Sequence, residues 1–234
     1  MYLSSIPVET GNDPTRIWPG KRWIRNPYRV HQRLSMAFDG NGEKRVLFRI
    51  EGPITTRSGS RPRILVQSRT QPDWPAAFGN APILVVGPDI RVKPYEPDFP
   101  RGQRLRFRLR ANPAVKKKRE GSKHNPRVGI MSPEGKLEWF ARKAEQAGFI
   151  AEDLTVLPEG LQFSRRSKQF IELPPGRDGT PRSEVKSPPK MVHLSALFEG
   201  VLRVTDEEAF AKALAAGIGP AKAYGFGLLS VAPL

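Results

Sequence analysis

Residues 103–111 (QRLRFRLRA) alternate without a break. In an extended chain Leu105, Phe107 and Leu109 lie on one face and Arg104, Arg106, Arg108 and Arg110 on the other. A helix would scatter the same residues around its axis, so this is a strand with one dry face and one wet face. The periods around it then switch in a fixed order. Ser132-Pro133 opens a helix with Leu137, Phe140, Ala141 and Ala144 inside, closed by Gly148. Strands follow at 152–157, 160–171 and 190–204. Residues 205–208 (TDEE) form a capping box for a helix with Ala209, Phe210, Ala213 and Leu214 inside. Gly217 stops that helix, and 228–231 is a last strand. The order β-α-β-β-α-β is that of a ferredoxin-like domain.

The first half approximates the same order. Residues 1–8 read as a strand, and Asn26-Pro27 as an N-cap with proline at the first helical position. Val30, Leu34, Ala37 and Phe38 form one apolar stripe, ending near Asp39-Gly40. Strands are expected at 45–51 and 63–68, a short helix at 74–79, and an apolar run in or beside the sheet at 83–86. Between these elements, 10–27 reads as polar and irregular, 52–62 as a turn-rich connector, and 174–189 as a long exposed loop. The stretch 94–102 has three prolines in nine residues and reads as a linker. The expected architecture is α+β, two tandem ferredoxin-like domains at 1–97 and 98–234.

Composition narrows the function. Lys and Arg number 39 against 23 Asp and Glu, a net charge of +16 that favours a polyanionic partner. Cysteine is absent, which excludes disulfides and Cys-ligated zinc or iron–sulfur sites. With only His31, His124 and His193, neither a metal nor another cofactor is expected. The N-terminus has no basic segment followed by an apolar run, and no window approaches about 18 apolar residues. The expectation is a cytoplasmic protein with no membrane contact. No helix-turn-helix or zinc module supports a DNA-binding reading.

Five blocks occur together and in order: MYLS at the start, NPYRVH (26–31), RLRFRLRANP (104–113), WFARKAEQAGF (139–149) and GIGPAKAYGFGLLSVAPL (217–234). Together they resemble the CasE family, the guide-RNA-processing endoribonucleases of type I-E CRISPR Cascade complexes. The resemblance covers nearly the whole chain; 114–131 and 164–190 match only in character. It implies two ferredoxin-like domains and cleavage of the CRISPR precursor RNA at the repeat hairpin. The implied chemistry is metal-independent attack of a 2′-hydroxyl on the adjacent phosphate, leaving a 2′,3′-cyclic phosphate and a 5′-hydroxyl. It also implies that the enzyme stays bound to the guide RNA beside other Cascade subunits.

At about 100° per residue, Tyr28, His31 and Ser35 share one edge of the first helix, beside the apolar stripe. Histidine suits proton transfer because its ordinary pKa is about 6.5. From spacing alone the pair fits equally a helix surface packed at a domain interface; the resemblance places the catalytic Tyr and His on Tyr28 and His31. Some family members carry Lys or His five residues after the catalytic His, where this chain has Met36. Charge at the phosphate then falls to Arg25, Arg29, Arg33 or a basic loop.

Six of the thirteen residues at 115–127 are Lys or Arg. Lys116, Lys117, Lys118, Arg119 and Lys123 are candidate phosphate contacts in that loop, with His124 a remote second acid; a solvated charge run fits equally. Arg165, Arg166 and Lys168 precede the loop bearing Arg177, Arg182, Lys186 and Lys190, and the resemblance makes this region a basic hairpin entering the RNA stem. Lys222, within the glycine block Gly217, Gly219, Gly225 and Gly227, is a further candidate phosphate contact. His193 reads as structural. The arginine face of 104–110 fits RNA or a protein subunit. The alternative function is a non-catalytic subunit that only binds the RNA hairpin.

Overall fold

The computed structural model describes residues 1–11, 13, 16, 18–38, 46–56, 59–117, 126–165, 169–173, 182–186 and 190–234. The N-terminal half contains β1 (Tyr2–Pro7), α1 (Pro19–Ile24), α2 (Pro27–Ser35), β2 (Leu47–Thr56), β3 (Gly59–Ser68), α3 (Trp74–Phe78) and β4 (Arg91–Pro94). The C-terminal half begins with β5 (Arg104–Ala111), β6 (Ala114–Lys116), β7 (Arg127–Gly129), α4 (Pro133–Gln146) and β8 (Phe149–Ser164). It continues with β9 (Gln169–Leu173), β10 (Arg182–Lys186), β11 (Met191–Val204), α5 (Glu207–Ala216) and β12 (Leu229–Pro233).

Two four-stranded antiparallel sheets result, ordered β2-β3-β1-β4 and β12-β5-β11-β8. In each, the first and third sheet strands are central neighbours and the second and fourth form the edges. That is the ferredoxin-like order, present twice. The alternation of β5 is realised as read: Leu105, Phe107 and Leu109 are buried while Arg104, Arg106 and Arg108 face out. The wet face is not left bare, because Arg104 pairs with Glu152 at 2.6 Å, Arg108 with Glu199, and Arg110 with Glu159 at 2.6 Å.

Aromatic rings fill the C-terminal core. Phe140 stacks on Phe198 with centroids 4.8 Å apart, and Phe107, Phe149 and Phe210 close around them. Each such buried side chain contributes roughly 1.5–3 kcal/mol. The N-terminal core gathers Ile6, Val30, Leu34, Phe48, Ile64, Val66 and Trp74. The halves are joined by Arg49 of β2, only 3% exposed, which pairs with Glu51 at 2.6 Å. Its guanidinium also donates to the carbonyls of Arg108 (3.2 Å) and Leu228 (3.1 Å) and to Ser230 Oγ (3.0 Å). Burial pushes the Glu51 carboxyl up, but the hydrogen bonds and charges of Arg49 and Arg63 outweigh it and hold it below its ordinary value.

Several local readings are corrected. Residues 19–24, within the stretch read as irregular, form α1, with Trp23 buried. Residues 52–62 are mostly the outer end of the β2–β3 hairpin, reached through a bulge between Glu51 and Pro53. The fourth strand is Arg91–Pro94 rather than 83–86, where a 3-10 turn and a single bridge from Val85 to Val8 occur. Strand pairing with β1 decides this, and no periodicity in four residues could announce it.

On α4 the buried face is Lys136, Trp139, Phe140 and Ala144, while Leu137 and Ala141 are exposed, a rotation that brings the indole inward. Asp206, not Thr205, caps α5, accepting from Ala209 N–H at 2.9 Å. The strands read at 152–157 and 160–171 are one continuous β8 up to Ser164. Residues 182–186, within the expected loop 174–189, form β10 and pair with β9. The ends of the basic stretch 115–127 pair as β6 and β7. Among the described residues no helix is long and apolar enough to cross a membrane.

Candidate active site

The site is built on α2. Pro27 occupies its first turn, and Val30 and Leu34 are buried against the N-terminal sheet. Helical spacing then puts Tyr28 and His31 together on the adjacent edge, with Tyr28 facing the C-terminal half. The His31 ring stacks on Phe48 of β2, centroids 6.3 Å apart and planes 11° from parallel. Tyr28 stacks on Tyr224 at 5.7 Å and 30°. Tyr224 ends a 3-10 turn, Lys222–Tyr224, inside the glycine block. It is held from behind by His193, centroids 4.4 Å apart, and its carbonyl accepts from Gln162 Nε2 at 2.8 Å.

The glycine block closes the junction between the halves. At Gly225, with φ +82°, a Cβ would lie 3.2 Å from Phe48 Cε2. At Gly217, with φ +74°, it would lie 2.8 Å from Leu47 Cδ2. Both positions combine a left-handed backbone with close approach to β2, so glycine is required twice over. The strand that supports the His31 ring is therefore also the strand on which this loop rests.

Burial pushes the His31 pKa below its ordinary value, so the imidazole is neutral near neutral pH. Its Nδ1 is buried with no hydrogen-bond partner among the described residues. Ser35, on the same helix edge, donates its hydroxyl to the His31 carbonyl at 2.8 Å and not to the ring. A neutral imidazole one turn from a phenol can take a proton from a hydroxyl while the phenol holds a phosphate oxygen.

Asn26 stands at the N-cap position of α2 but makes no cap bond. Its side-chain amide reaches the other half, where Nδ2 donates to the Arg165 carbonyl at 2.9 Å and Oδ1 accepts from the Arg165 N–H at 3.3 Å. This corrects the capping role read for Asn26 and brings Arg165, exposed just past β8, beside the helix that carries Tyr28 and His31.

The basic candidates divide by what already engages them. Arg25 and Arg29 are exposed around the start of α2. Arg33 instead donates to the Ala77 carbonyl (3.1 Å) and Asn80 Oδ1 (2.8 Å) at the end of α3. Met36 follows α2 and is 56% exposed. Lys222 donates to the Gly219 carbonyl at 2.9 Å. Lys116 and Lys117 are exposed at the end of β6, Lys116 directly across from Arg127. Lys118, Arg119, Lys123, His124, Arg166, Lys168 and Arg177 lie outside the described residues. Sequence reasoning missed Phe48, Tyr224 and the contact between His193 and Tyr224. The aromatic residues inside the glycine block, KAYGFG, were the available signal for Tyr224.

Comparison with known proteins places the chain in a family. Residues 1–233 match the family described as CRISPR associated protein. The chain is 37% identical to the CRISPR-associated endoribonuclease Cse3 of Thermus thermophilus, covering all of both chains. It is 29% identical, again over the whole of both, to the CRISPR system Cascade subunit CasE of Escherichia coli. It superposes on Thermus thermophilus Cse3 bound to an RNA representing a pre-cleavage complex with a TM-score of 0.69 and 31% identity. That superposition covers 99% of this chain and 98% of the other.

Proposed function

The chain belongs to the CasE and Cse3 family of CRISPR-associated proteins, and from that premise we propose that it is an endoribonuclease cutting CRISPR precursor RNA at the repeat hairpin. The N-terminal domain, 1–97, carries the reacting groups, and the C-terminal domain, 98–234, carries most of the RNA-binding charge. His31 takes the proton from the 2′-hydroxyl next to the scissile phosphate. The 2′-oxygen forms a bond to phosphorus, the bond to the 5′-oxygen breaks, and that oxygen takes a proton from solvent, to which His31 returns its own, leaving as a 5′-hydroxyl. The other product carries a 2′,3′-cyclic phosphate. Tyr28 donates its phenolic hydrogen to the phosphate, where negative charge grows.

The observation that carries this reading is the placement of a neutral, half-buried His31 one turn from Tyr28, at the junction of the two halves. A histidine kept neutral at working pH is a competent base, and helix geometry sets its distance from the phenol. Arg165, Arg166 and Lys168 grip the RNA stem, and Lys116, Lys117, Lys118, Arg119, Lys123 and Lys222 add phosphate contacts. With Arg33 engaged at α3, Arg25 and Arg29 supply the charge that Met36 does not. The cut RNA stays bound and the protein sits with other Cascade subunits in the cytoplasm.

Incubating the protein with end-labelled repeat RNA in EDTA tests the proposal. The expected result is one cut with a 2′,3′-cyclic phosphate on the upstream fragment. Tight binding with an intact strand overturns it in favour of a non-catalytic hairpin-binding subunit.

A further inference from the structure

We propose that Asn26 is a positioning residue that locks the catalytic helix to the RNA-gripping end of β8. An Asn at an N-cap ordinarily accepts from the first-turn N–H groups. Three other helices in this chain use that device: Asp73 caps α3 (2.9 Å), Ser132 caps α4 (3.2 Å) and Asp206 caps α5 (2.9 Å). At Asn26 the backbone sits at φ −119° and ψ 87°, and the side chain turns away from its own helix. Its amide pairs with both backbone polar groups of Arg165, 139 residues away, as a strand neighbour would.

The pairing joins two parts with different work. On one side, Tyr28 is two residues and His31 five residues beyond Asn26. On the other, Arg165 leaves β8 at the start of the basic segment that includes Arg166 and Lys168. The bond is solvent-exposed, so it adds little to stability. Cohesion between the halves has other sources: the buried Arg49 and the Gln67 amide, which donates to the Leu214 carbonyl at 2.6 Å. The pairing instead sets where α2 begins relative to the strand end that holds RNA. Misplacement of reacting groups by about 1 Å can cost about 10²-fold in rate.

This inference rests on the endoribonuclease reading. Its test uses Asn26→Ser and Asn26→Asp in the full chain, with repeat-hairpin RNA. Ser and Asp rank with Asn as caps, so either variant serves a capping role equally well. Neither can make the paired contact: Ser is too short, and Asp loses the donor and sets a carboxylate against the Arg165 carbonyl. The expected result is a single-turnover rate at saturating protein lowered about 10- to 100-fold, with RNA affinity and melting temperature close to the parent. Parental rates in both variants overturn the proposal. So does a rate loss matched by lost affinity in the Ser variant, which would make Asn26 a binding residue, or by a lowered melting temperature. If the parent itself does not cut, the endoribonuclease reading falls and this inference falls with it.

Discussion

Helices α2 and α4 hold the same place in their respective halves, each crossing from the first sheet strand to the second. They are made differently. The C-terminal helix, α4, has 14 residues, a Ser132 cap and a core face of Trp139, Phe140 and Ala144. The N-terminal one, α2, has nine residues, no side-chain cap, and an edge on which Tyr28 packs on the other half and His31 on Phe48. On the proposed reading, one position in a repeated fold serves stability and its counterpart chemistry. On α2, the Asn26 side chain that could serve its own helix reaches across the junction instead.

The sharpest way to break this comparison is to remove the proposed reacting group on α2. His31→Ala should slow single-turnover cleavage by about 10²- to 10⁴-fold, the usual contribution of general acid–base catalysis, while leaving RNA affinity intact. Tyr28→Phe, which keeps the ring against Tyr224, should cost less. Nearly parental cutting by His31→Ala would move the search to other residues, His124 first.

The matching change on α4 should show the opposite split. Phe140→Ala removes a fully buried ring stacked on Phe198 and should destabilise the protein by about 3–5 kcal/mol, measured by denaturant titration. At a temperature where the variant remains folded, its cleavage rate should stay near the parent's. A rate loss as large as that of His31→Ala would dissolve the distinction between the two helices.

The smallest effect is a pH dependence. Burial lowers the pKa of both His31 and His193, so in the unfolded chain these rings take up protons first, near about 6.5. Their contribution to stability is therefore complete above that pH and is lost as pH falls toward their lowered native values. The melting temperature should decline on going from pH 7 to pH 5, and His31→Ala should flatten part of the decline. Glu51, held below its ordinary value, titrates in a lower range and leaves this window clear. An unchanged slope in the variant would mean that His31 is not desolvated in solution.

Period and punctuation were enough to read β5, α4, α5 and the overall order of the C-terminal half, because burial on one face forces those patterns into the chain itself. The same logic placed Tyr28 and His31 on one helix edge, since three residues along a helix is nearly a full turn whatever surrounds it. It could not say what that edge packs against. Phe48, Tyr224 and His193 supply those contacts, and they are far apart in the chain and are brought together by the tertiary fold. β4 and β10 escaped for a related reason: each is short, and each owes its extended form to one hydrogen-bonded partner strand. Asn26 shows the division within a single residue. Its type and place before Pro27 announce a helix start, and the helix does start there. The direction of its amide was decided by the Arg165 backbone, which offered a donor and an acceptor together where its own helix offered donors alone.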